Sequence, residues 1–205
     1  GGGGGGSGSG GGAGGKGSSS GGGGGGGGKS DFAHVNYNLD EESYNMQQLD
    51  DGGSGYVNRL LLYVDELLDP LREPLEDSLW DLLVLQVMNT VSKRLEPVLR
   101  QCRVTNLGAF LLDGHVRDLI AHTKLKLHNA TLVSPALLSQ HCHGLARLVQ
   151  MARLLCVDDL DDVLDLVAAS RQHSNWDLDE MVAILSQRVE FDPEQVESLL
   201  KERRK

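Results

Sequence analysis

The sequence predicts an all-α helical bundle preceded by a disordered glycine-rich segment. Three observations carry that expectation. From Val57 onward apolar residues recur at i, i+3 and i+4, the spacing of one helix face. Helix-start signals stand at Ser134–Pro135, Asp177 and Asp192–Pro193. The pattern gives about seven helices and no clear strand.

Residues 1–30 are almost wholly Gly and Ser and hold 21 of the 27 glycines in the chain. Such a segment has almost nothing to bury, and Gly loses the most backbone entropy on ordering. It reads as a coil of roughly 30 Å end to end. It lacks the apolar core of a signal peptide. Residues 31–54 form a polar linker in which "YNLDEESY" could make a short strand or one helical turn, and "DDGGSG" at 50–55 is a break. The chain opens on Gly1, which suggests the C-terminal part of something longer.

Residues 55–103 carry the long helices. Val57, Leu60, Leu61, Val64, Leu67, Leu68 and Leu71 line one face of the first, and Pro70 and Pro74 should end or kink it. Trp80, Val84, Val87, Val91, Leu95, Val98 and Cys102 form the stripe of the longest helix, with a kink or early stop expected near Pro97. Residues 104–205 read as a small C-terminal helical domain. Asp113 is the expected N-cap of its first helix, with Val116, Leu119 and Ile120 buried. That helix fades over 124–128. Ser134 and Pro135 start the next, with Val133 and Leu138 as a hydrophobic staple. Its stripe is Leu138, Cys142, Leu145, Val149, Ala152 and Cys156. Gly144 interrupts it, which suggests close approach of another helix. Asp158–Ser170 makes a short acidic helix. Asp177 with Glu180 forms a capping box, and Asp192–Pro193 opens the last helix, which ends in "KERRK" where cations suit the dipole.

Composition excludes several functions. The net charge of −10 argues against a nucleic-acid partner and against adsorption to anionic lipid. The richest apolar run, "LWDLLVLQVM", is too short to span a bilayer. Three cysteines without a CxxC pair fit a reducing compartment.

No catalytic constellation stands out. His141 and His143 flank Cys142, but helix geometry turns them apart, and the spacing of His122 and His128 fits no ligand motif. The aspartates 158, 159, 161, 162 and 165 lack the Gly and Glu of a Ca²⁺ loop and interleave with apolar residues at helical spacing. "GGKS" at 27–30 lacks the strand and helix a phosphate loop needs. No cofactor or metal is expected.

Arg117 is the residue that asks for an explanation, because it sits beside Val116, Leu119 and Ile120. Its head either snorkels to water or pairs with a carboxylate of a neighbouring helix, Asp162 or Asp165.

"SKRLEPVLRQCRVTNLGAFLLDGHVRDLIAH", "LARLVQMARLLCVDDLDDVLDL" and "WDLDEMVAILSQRVEFDPEQVESLL" together resemble the C-terminal region of the subunit 4 family of the conserved oligomeric Golgi complex. The likeness runs over about residues 55–203. The link "TKLKLHNATLVSPALLSQHCH" is longer than the family pattern, and residues 1–30 have no counterpart in it. The resemblance implies a non-enzymatic, peripheral protein on the cytoplasmic face of Golgi membranes. It would be the C-terminal end of a helical rod that tethers vesicles in intra-Golgi retrograde transport. Implied partners are the other subunits of that complex, SNAREs and Rab GTPases. The resemblance also implies a structural salt bridge between Arg117 and Asp162. Two other readings are a helical scaffold of another tether, such as exocyst, and a metal-dependent hydrolase using His122, His141 and the aspartate cluster.

Overall fold

A computed structural model describes residues 35–50, 55–163 and 176–202. The Gly/Ser segment, the part of the expected acidic helix after residue 163, with Asp165, and residues 203–205 lie outside these. The described residues are helical, joined by turns and two isolated parallel bridges.

Helix α1 spans Glu41–Asp50. Asp40 starts it, its carboxylate accepting from the Ser43 amide at 2.8 Å. Helix α2, Tyr56–Leu68, buries Val57, Leu61, Val64 and Leu68. Leu67 and Leu71, expected on that face, are exposed. Pro70 ends α2 as expected, and the chain passes into a 3₁₀ turn over Asp69–Leu71.

Helix α3, Asp77–Leu99, departs in part from its expected face. It buries Trp80, Val84, Leu85, Met88, Asn89, Ser92, Leu95 and Leu99, while Val87, Val91 and Cys102 are only partly buried. The cause is α6, which presses the backbone of Gly144 against Asn89 and draws polar positions inward. The helix ends at Leu99, two residues past Pro97 and short of Cys102, near where the early stop was expected. Past that point the Arg100 amide still bonds the Glu96 carbonyl at 2.9 Å.

Helix α4 spans Asn106–Lys126 and begins two turns before Asp113. Its N-cap is Thr105, whose hydroxyl accepts from the Gly108 amide at 3.2 Å. Gly108 is required there, because a Cβ would stand 1.7 Å from the Tyr37 carbonyl oxygen. Val116 and Leu119 are buried and Ile120 partly so.

After a 3₁₀ turn at Ala130–Val133, the helix expected from Pro135 breaks in two. Helix α5 spans Pro135–His141 and α6 spans His143–Leu155, with Cys142 as the non-helical joint. Ser134 is the N-cap residue of α5, but its hydroxyl makes no capping bond. Gly144 has the close neighbour its position suggested, since an added Cβ would lie 2.8 Å from the Asn89 carbonyl of α3. Residues 160–163 are helical. Helix α7, Leu178–Leu185, has the complete Asp177/Glu180 capping box. Helix α8, Pro193–Glu202, closes the described chain.

The packing draws no boundary at position 103. Helix α3 lies along α6 and against α4, α4 lies along α6, and the buried side chains from Tyr37 to Leu200 form one apolar cluster.

Candidate functional site

Among the described residues, a set of polar fasteners joins the helices. Arg147 projects from α6 toward Glu96, in the last turn of α3, and Glu180, at N3 of α7. Its Nε and Nη2 donate to the two Glu96 carboxylate oxygens, each at 3.0 Å, and Nη2 also reaches Glu180 Oε1 at 3.0 Å. Two parallel bonds to one carboxylate fix direction as well as distance. The guanidinium lies 3.5 Å from the centre of the Trp176 ring, whose indole N–H donates to the Arg147 carbonyl at 3.3 Å. Arg100 joins at 3.8 Å from Glu96 and 3.9 Å from Glu180, with its own guanidinium beside Trp176. Two cations thus face two anions. Burial alone would lower the Arg147 pKa, but the bonds to Glu96 and Glu180 outweigh it and raise it.

Glu180 works twice. One carboxylate oxygen holds Arg147 while the other accepts from the Asp177 amide at 3.2 Å. The start of α7 and its docking on α6 therefore depend on the same side chain.

A second fastener is Arg188, only 2% exposed. Its Nη1 donates to the carbonyls of Leu155 and Val157, where α6 leaves acceptors unpaired. Its Nε holds Glu190 at 3.0 Å, and its guanidinium lies 4.7 Å from the centre of the Phe191 ring. The other oxygen of Glu190 accepts from the Asn106 amide at 2.7 Å, which ties the end of α6 to the start of α4. Burial would raise the Glu190 pKa, but these bonds outweigh it and hold the carboxyl below its ordinary value.

The segment before α1 is a strap. Tyr37 and Arg188 bridge Val104 from either side. Thr105 binds the strap through its amide to the Tyr37 carbonyl at 3.1 Å and its hydroxyl to the Leu39 carbonyl at 2.8 Å. The Tyr37 hydroxyl meets Tyr56 at 2.7 Å and His115 at 2.8 Å.

The residues singled out from sequence sit elsewhere. Arg117 is not a buried brace: its side chain is 77% exposed and pairs with Asp113, one turn back on α4. Position 117 lies about 100° round the helix from the buried Val116, which turns it to solvent. Its expected partner Asp162 is exposed. His122 contacts Asp65 of α2 at 2.9 Å, beside Lys126, which holds Asp65 and Asp69. His141 and His143 are exposed on either side of the buried Cys142, whose thiol burial pushes up to about 11. Among the described residues no three His, Cys, Asp or Glu side chains gather as metal ligands. Nor is any described helix long and apolar enough to cross a membrane.

Arg147, Glu96, Trp176 and Arg188 carry no local signal in the sequence, and Glu180 reads there only as a cap. All five lie within the three stretches that carry the family resemblance. Their spatial meeting depends on how α3, α6 and α7 pack, which no local pattern states.

A family model for conserved oligomeric Golgi complex subunit 4, C-terminal, matches residues 29–185. A protein called conserved oligomeric Golgi complex subunit 4 from Arabidopsis thaliana is 27% identical over 169 residues, covering 82% of this chain and 21% of that protein. The protein of that name from Bos taurus is 25% identical over 170 residues, covering 82% and 20%. The one from Dictyostelium discoideum is 23% identical over 168 residues, covering 80% and 17%. The chain thus spans about a fifth of the length of these curated relatives.

Proposed function

The chain belongs to the family of conserved oligomeric Golgi complex subunit 4, through its C-terminal region, and on that premise we propose that it serves as the terminal helical part of a vesicle-tethering subunit. It acts by contact and not by chemistry of its own. Its partners are the other subunits of the complex, with SNAREs and Rab GTPases engaged by the assembled tether. It works at the cytoplasmic face of Golgi membranes, as a peripheral protein in retrograde transport between cisternae.

The observation that supports this reading best is the family match over residues 29–185. The fasteners agree with it in kind. Arg147 and Arg188 spend their charge on joining helices, and that gives partners a fixed exterior.

Affinity purification of the tagged chain from cells tests the proposal. Other subunits of the oligomeric Golgi complex are expected to copurify, and Arg147→Ala should reduce their recovery. A folded chain, verified by circular dichroism, that recovers none of them would overturn the reading. Copurification of exocyst subunits instead would favour the scaffold of another tether.

A further inference from the structure

We draw no further inference here: the strongest candidate, the apolar ridge that Tyr63, Leu67 and Leu71 leave exposed along α2 and the turn after it, carries nothing because nothing in the structure shows what covers it.

Discussion

Arg147 and Arg117 are both on helices, both within reach of carboxylates, and differ in what surrounds them. Arg147 bridges α3 and α7 with an indole against its face, and its side chain is 16% exposed. Removing it leaves two glutamates in a partly dry site with only the longer ionic contacts to Arg100. Arg147→Ala should therefore cost about 2–4 kcal/mol, read from the denaturant midpoint. Arg147→Lys should recover only part of that, because an ammonium cannot make the parallel pair of bonds or stack as a plane. Arg117→Ala removes only an exposed pair within one helix and should stay within about 0.5 kcal/mol of wild type. Equal losses for the two would refute this assignment. Of the two uses the sequence allows Arg117, snorkelling to water or pairing with Asp162 or Asp165, its exposed side chain beside Asp113 matches the first. One helix stripe does not reveal which neighbour reaches a given position.

At the scale of the element, three glycines in helices separate three causes. Gly108 lies under the strap, with no room for a methyl group beside the Tyr37 carbonyl. Gly108→Ala should loosen residues 35–39 and cost about 2 kcal/mol or more, with faster proteolysis ahead of α1 as the direct readout. Gly114, also on α4, has open space where a Cβ would stand. Gly114→Ala should stabilise by about 0.5–1 kcal/mol, since it removes backbone freedom from the unfolded chain at no steric cost. A loss at Gly114 would mean its surroundings are misassigned. Gly144 gives the third case, a helix crossing, and its role was legible from its place inside an apolar stripe. Helix identity and the Asp177/Glu180 and Asp192–Pro193 starts were legible too, because caps and proline act locally. The start of α4 is not legible in the same way: Asp113 satisfies the usual rule for a cap, but Thr105 already supplies one eight residues earlier. The break at Cys142 is likewise hidden, because the apolar spacing Leu138, Cys142, Leu145 continues across it.

For the molecule as a whole, acid and thiol chemistry report on the joined core. Glu190 titrates below its ordinary value of 4.5 when folded. A depressed carboxyl contributes stability that is fully present above the unfolded value and is lost as pH falls through the folded one. Melting temperature should thus decline as pH is lowered from about 6 to about 3, and Glu190→Gln should flatten that decline. A decline unchanged in the variant would remove Glu190 from the account. Burial raises the thiols of Cys142 and Cys156 to about 11 and shifts Cys102 upward as well. Alkylation of the native chain at about pH 8 should therefore be slow and should accelerate with global unfolding. Rapid labelling of Cys142 in the folded chain would contradict its burial.

The amino-acid order alone determined that this chain is helical, acidic and without a catalytic motif, and it carried the likeness to a tethering subunit. These properties are local or cumulative: apolar spacing, caps, proline, net charge. Tertiary structure alone decided which face of α3 goes inside, which arginines become braces, and why Gly108 must be glycine. Each of those depends on atoms far apart in the chain, such as Tyr37 over Gly108 or Glu96 and Glu180 around Arg147. A side chain's environment is set by the elements that close over it, and that information is absent from its own helix.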